Sequence, residues 1–145
     1  MLFNLRSKSA RAQRGFTLLE LLVVLVILGM LAALAGPRVM KYIASSKTDT
    51  AKLQIEELSA ALDMYKLEVG RHPNTQEGLQ ALVEAPGGAA NWNGPYLKKK
   101  TVPKDPWGAE YHYASPGQHG AVDISSFGAD GREGGEGEDR DVVSW

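Results

Sequence analysis

Gly15-Phe16-Thr17-Leu18-Leu19-Glu20 opens an apolar run that extends to Ala35. Phe16 to Ala35 is 20 residues, with Glu20 the sole charge and Thr17 the sole uncharged polar side chain. At 1.5 Å per residue a helix of that length reaches about 30 Å, the thickness of a hydrocarbon core. An ionised carboxylate at membrane depth costs several kcal/mol, about 3 on insertion scales. Such a residue marks a functional position whose partner must be found. The other reading is that Glu20 snorkels to the headgroups from near the helix end.

Outward on the N-terminal side, residues 1–14 hold Arg6, Lys8, Arg11 and Arg14 and no acid. A secretory signal places its small-residue cleavage site after the apolar region. Here Ala33-Leu34-Ala35 fits such a site only loosely, and Gly36-Pro37 follows it. The abrupt junction is Gly15, on the basic side. A cut there leaves the apolar helix on the mature chain.

Arg14-Gly15-Phe16-Thr17-Leu18-Leu19-Glu20 resembles the class III signal of type IV pilins and pseudopilins. The resemblance implies that a prepilin peptidase cuts between Gly15 and Phe16 and that Phe16 becomes the N-methylated terminus. It also names a partner for Glu20: the N-terminal ammonium of the neighbouring subunit in a filament. Either charge alone in an apolar filament would be costly. Paired, they recover much of the desolvation, and such a pair fixes register better than it adds net stability.

The chain has 145 residues, enough for one small domain and a long helix, and a formal net charge of −1. Without the leader, 12 basic residues face 17 acidic ones, a balance of −5. That argues against nucleic acid as a partner, which normally needs a basic surface. The four leader charges favour a cytoplasmic N-terminus, although Arg38, Lys41 and Lys47 on the far flank oppose it. Residues 38–145 are then expected outside the cytoplasm. Cysteine is absent, so this exported domain has no disulfide to close it.

Gly36-Pro37 is expected to punctuate the helix, because proline removes a hydrogen bond and crowds the preceding turn. A simple kink at the membrane surface is one reading; the resemblance implies another, loss of helicity on assembly. Helix should resume to about Val69. Ala51, Ile55, Leu58, Leu62, Tyr65 and Val69 recur at spacings of 4 and 3, one apolar stripe suited to a domain core. Gly70 suits the C-cap and Pro73 forbids continuation. Asn74 and Glu77 fit a capping box that starts a short helix to about Ala85, burying Leu79, Leu82 and Val83. Residues 86–110 are loop-rich, with Trp92, Tyr96, Leu97 and Trp107 placed to pin the loop to the helix. Lys98, Lys99 and Lys100 are either solvated or in contact with an acidic neighbour. Tyr111–Ala114 and Ala121–Phe127 have strand character around a turn at 115–120.

From Asp123 to Trp145 there are seven acids and two arginines among many glycines. A disordered tail is one reading. Against it, Val142, Val143 and Trp145 want burial, so the intervening loop needs something to hold it. Calcium takes six to eight oxygen ligands in flexible geometry and would serve. The spacing is not that of an EF-hand.

Asn93-Gly94-Pro95-Tyr96-Leu97, Pro103-Lys104-Asp105-Pro106-Trp107-Gly108 and Asp123-Ile-Ser-Ser-Phe-Gly-Ala-Asp130-Gly together resemble the type II secretion major pseudopilins, the general secretion pathway protein G family. That resemblance implies calcium as cofactor, with Asp123 and Asp130 as side-chain ligands. Ser125 and carbonyls near Gly120 and Phe127 are weaker candidates. Glu133, Glu136 and Glu138 then face solvent.

No catalytic constellation stands out. His72, His112 and His119 lack metal-ligand spacing, and His119, Asp123 and Ser125 crowd into one segment. Gly87-Gly88 lacks the Lys-Ser or Lys-Thr of a phosphate loop. The chain reads as a substrate of a peptidase and a methyltransferase, not as an enzyme.

The expected fold is therefore α+β and type IV pilin-like. A long N-terminal helix, half membrane and half amphipathic, packs on a small antiparallel sheet with a C-terminal calcium loop. Residues 1–15 are the leader, 16–37 the membrane and filament-core helix, 38–70 its amphipathic half, and 71–145 the periplasmic globular region. The expected function is main filament subunit of a pseudopilus. Its partners would be copies of itself, the prepilin peptidase and methyltransferase, minor pseudopilins, the inner-membrane assembly platform and, before assembly, lipid. Rival readings are a minor pseudopilin or type IV pilin, and a membrane-anchored calcium-binding module that never polymerises.

Overall fold

The computed structural model describes residues 15–145. The basic leader, residues 1–14, lies outside the described residues. One helix, α1, covers Leu18–Val69. Three short strands follow: β1 (His112–Ala114), β2 (Asp123–Ser126) and β3 (Val142–Val143). They form an antiparallel sheet in the order β1-β2-β3. Tyr113 stands opposite Ile124, and Ser126 opposite Val142. The fold is α+β, as expected. The chain divides after Val39 into two compact units.

In the first unit, every residue from Gly15 to Val39 is exposed. Leu, Val and Ile dominate these exposed side chains. Gly36-Pro37 lies within one continuous helix, so the pair punctuates α1 without ending it in the single subunit. Pro37 lies inside α1. The loss is one N–H in a helix of 52 residues, and the residues on either side hold the helical ladder.

The second unit is built on the stripe read from the sequence. Ala51, Ile55, Leu58, Leu62 and Tyr65 are buried, with Ala61 beside them, and Val69 packs at the margin. Leu79, Ala81, Leu82, Val83, Leu97, Tyr111, Ile124 and Val142 complete the core. Burying one such aliphatic side chain contributes about 1.5–3 kcal/mol. Leu53, Met64 and Leu67 occupy the opposite side of the helical cycle and stay open, Leu67 at 80%. Gly70 stops the helix with φ +88°, a conformation that L side chains rarely adopt.

After the helix, the capping box forms but the expected α-helix does not. Glu77 N–H donates to Asn74 Oδ1 at 2.8 Å, and Asn74 N–H donates back to Glu77 Oε2 at 2.8 Å. Gly78, at φ +61°, then turns the backbone out of the helical region. A 3₁₀ segment, Leu79–Leu82, replaces further α-helix, and it still buries Leu79, Leu82 and Val83.

The loop from 86 to 110 is pinned as its aromatics suggested. Trp92 Nε1 donates to Ala81 O at 2.8 Å, and Tyr96 Oη to Glu68 Oε2 at 2.6 Å. Tyr96 lies edge-on to Tyr65 and to Trp92. A Cβ at Gly94 would fall 2.6 Å from the Trp92 ring, so no larger residue fits there. The sheet is tied to the helical side by Tyr111 Oη to Gln54 Oε1 and by Tyr113 Oη to Pro73 O.

Candidate functional site

Two places hold the residues singled out from sequence. The first is the start of α1. Phe16 is 81% exposed, and Gly15 to Thr17 precede the helix. Thr17 N–H donates to Glu20 Oε2 at 2.8 Å, and Thr17 Oγ1 donates to the same oxygen at 3.0 Å. Glu20 N–H donates to Thr17 Oγ1 at 3.2 Å. This is a capping box: residue and N3 partner satisfy each other's free backbone donors. The sequence reading gave Thr17 no role. The signal was present as Thr-x-x-Glu at a helix start, overshadowed by the membrane-length run.

The second place is the stretch around β2. Asp123 opens the strand and is buried, and its carboxylate faces the turn before it. Oδ2 accepts from Gln118 N–H at 2.8 Å and His119 N–H at 3.1 Å, with His119 Nδ1 also 3.1 Å away. Burial pushes this carboxyl up, but the His119 ring and the two backbone donors outweigh it and hold it below its ordinary value. A Cβ on Gly117 would collide with the Asp123 carboxylate, so the turn requires glycine there. His119 stacks on Trp145 with ring centroids 4.0 Å apart and planes 4° from parallel. Trp145 was expected to be buried and is instead 53% exposed, held by that one-sided stack.

Asp130 lies past the far end of β2, in an exposed turn, and accepts from Arg132 N–H at 3.0 Å. Ser125 is half-buried in mid-strand, opposite His112 and Val143. Phe127 stacks on His112, and Gly120 sits exposed in the turn. Among the described residues no hydrogen bond joins Asp123 to Asp130, and no group of three or more His, Cys, Asp or Glu side chains could hold a metal. Glu133 and Glu136 are exposed and Glu138 is half-buried.

The loop beyond Asp130 is nevertheless closed on itself. Ala129 N–H donates to Glu138 O at 2.9 Å, and Gly134 N–H to Asp141 Oδ2 at 2.9 Å. Gly128 and Gly135 lie so close to the Glu138–Asp139 backbone that a Cβ on either would clash. Asp141 Oδ1 is buried and has no hydrogen-bond partner. A buried carboxylate oxygen without a donor is the feature a cation would satisfy. The donor chemistry of the region, carboxylates and loop carbonyls, is that of a hard divalent ion.

A buried carboxylate with a structural role that sequence reasoning missed is Asp105, 4% exposed. Its Oδ1 accepts from Trp107 and Ala109 N–H, and its Oδ2 from Ser126 Oγ at 2.5 Å. It thereby fixes the Pro-Lys-Asp-Pro-Trp-Gly turn against β2. His119 and Asp123 do meet, while among the described residues no hydrogen bond links Ser125 to either.

Comparison with known proteins supplies the context. Residues 38–145 match the family described as type II secretion system (T2SS), protein G. Residues 10–36 match the prokaryotic N-terminal methylation motif. The type II secretion system core protein G of Pseudomonas aeruginosa is 51% identical over 139 residues, covering 93% of this chain and 96% of that one. The Vibrio cholerae protein of the same description is 45% identical over 141 residues, covering 95% of each. The crystal structure of the major pseudopilin from the type 2 secretion system of enterohaemorrhagic Escherichia coli superposes with a TM-score of 0.62 at 33% identity. It covers 73% of this chain and 92% of that one.

Proposed function

The chain belongs to the type II secretion system protein G family, and from that premise we propose how its geometry serves a filament. It is a major pseudopilin, a structural subunit, and its apolar N-terminal helix is consistent with membrane anchoring. The family assembles into a pseudopilus with other components of the secretion system.

In finer detail, the prepilin peptidase cuts between Gly15 and Phe16, and Phe16 is N-methylated. The subunit rests in the inner membrane with residues 38–145 in the periplasm, then joins a homopolymer through α1. Minor pseudopilins and the inner-membrane platform are its partners, and growth of the filament moves folded proteins toward the outer membrane. Glu20 receives the Phe16 ammonium of a neighbouring copy. The observation that carries this is the open apolar surface. From Phe16 to Ile43 every large apolar side chain is exposed. Such a surface demands lipid at one stage and like surfaces at another.

Calcium belongs to the same proposal. Asp123 and Asp130 would hold it, with Ser125 and the carbonyls of Gly120 and Phe127 as further donors. When bound, the ion supplies charge neutralisation and a cross-link for a loop that no disulfide closes. The closed glycine loop and the unpartnered Asp141 oxygen support an ion in this region. The test of the filament reading is Glu20→Ala in the full chain, expressed with its secretion apparatus. Insertion and cleavage should persist while sheared filaments vanish; normal filaments would remove the role given to Glu20.

A further inference from the structure

The three hydrogen bonds between Thr17 and Glu20 place this pair in an asymmetric state. Both donors of Thr17, its N–H and its Oγ1, converge on one carboxylate oxygen, Oε2. Among the described residues Oε1 accepts nothing. The carboxylate is thus oriented without being saturated: one oxygen is tethered to the helix start and the other is open. Thr17 has no competitor for this task. From Phe16 to Ala35 it is the only uncharged polar side chain, so no other residue of the segment carries a side-chain donor.

We propose that Thr17 is the positioning residue for Glu20, holding its carboxylate at the head of α1 in the single subunit so that the free oxygen is aimed at the incoming amino terminus of a neighbour. This rests on the assembly reading given above for Glu20. Two physical consequences follow. A carboxylate at membrane depth needs donors supplied by the protein, and a capping box supplies them without a second chain. A tethered carboxylate also has fewer rotamers to lose when the neighbour arrives, which favours association through preorganisation. The hydroxyl is therefore the functional group, because its removal deletes two of the three bonds. The Thr17 N–H bond to Glu20 is backbone and survives any substitution here except proline.

The experiment compares Thr17→Val, Thr17→Ser and Glu20→Ala in the full chain, expressed with the secretion apparatus. Processed subunit in the membrane is measured first and sheared filament second. Thr17→Val keeps shape and removes the hydroxyl; filament yield per processed subunit should fall about fivefold, the factor set by losing one capping side chain. Thr17→Ser restores the hydroxyl and should restore the yield. Adding Thr17→Val to Glu20→Ala should change nothing more. Thr17→Val filaments at the level of the parent, or Thr17→Ser as deficient as Thr17→Val, would overturn the role of Thr17. If Thr17→Val were left uncut, the readout becomes the Glu20 carboxylate ¹³C signal of the full uncut chain, parent and variants alike, in lipid nanodiscs. There Ser must match Thr and Val must differ; identical spectra for all three overturn the proposal. The two layers separate cleanly. Glu20→Ala filaments would sink the assembly reading itself, whereas blocked Glu20→Ala with normal Thr17→Val sinks only the positioning role.

Discussion

Glu20 and Glu77 sit in the same local device and differ in one partner. Each is the N3 carboxylate of a capping box, Glu20 with Thr17 and Glu77 with Asn74, and each accepts a backbone N–H three residues back at 2.8 Å. Glu77 has a cation as well. Arg71 Nη1 lies 2.6 Å from Oε2 and Nη2 2.7 Å from Oε1, so both oxygens are engaged. Glu20 has no such cation among the described residues. Where the box faces water, the chain supplies the positive charge itself. Where it lies at the head of an apolar helix, no cation of the described chain reaches it. The first arrangement is finished within one subunit; in the assembly proposed above, the second is completed by another.

The sharpest break of this contrast is Glu20→Ala. Assembly should be lost entirely, while thermal unfolding of the domain built on Ile55, Leu62 and Ile124 stays unchanged. A shift in that unfolding would mean that Glu20 also works within the subunit, and the contrast would dissolve.

Asp123 tests whether a third carboxylate resembles the finished case or the unfinished one. Its backbone donors and His119 resemble the first; the proposed ion would make it the second. Adding calcium at a hundred times its dissociation constant to the full chain in detergent should stabilise it by about 2.7 kcal/mol. Asp123→Ala with Asp130→Ala should abolish that response. Melting that ignores calcium and chelator alike would remove the ion from the proposal.

The finished box can be opened from either side, with smaller effects. Asn74→Ala should cost about 1 kcal/mol, the ordinary loss of an N-cap side chain, read as a drop in melting temperature. Arg71→Met removes the cation and should lower the melting temperature by less than Asn74→Ala does, since Arg71 is largely exposed and solvent screens the pair. This effect has a sign in pH. The Arg71 hydrogen bond holds the Glu77 carboxyl below its ordinary value of 4.5. The pair's contribution is therefore fully present above pH 4.5 and lost as pH falls through the folded value. Parent and variant should converge in acid; a gap that widened there would contradict the assignment.

The core stripe is legible in the sequence because it obeys one period. Ala51, Ile55, Leu58, Leu62 and Tyr65 announce a buried face by their spacing alone, and Gly70 with Pro73 announces its end. The two longer strands show for a similar reason, and β3 is visible only as apolar residues in a polar tail. What stays hidden depends on single backbone choices or on distant partners. Helical continuity through Gly36-Pro37 is a balance between one lost bond and a long ladder. Gly78 cuts the helix after Asn74 short by adopting a positive φ, which composition alone does not reveal. Asp105 looks like one more polar residue of a proline-rich loop, because its partner Ser126 is 21 positions away. The Thr17 box is written in the sequence, yet a membrane-length run draws attention to hydrophobicity before capping. The proposed ion-binding residues are nameable one by one, but their placement is not: Asp123 opens β2, whereas Asp130 lies past its far end.

β3 is only two residues long, and it is the sole strand flanking β2 on that side. Ser144 extends the cover, its N–H donating to Ile124 O and its Oγ accepting from Ile124 N–H. Deleting residues 142–145 would therefore do more than remove a short strand. It would turn β2 from a central strand into a raw edge with Ile124 and Ser126 behind it, a template for pairing with foreign strands. In this fold the guard against edge-to-edge aggregation is a strand of two residues.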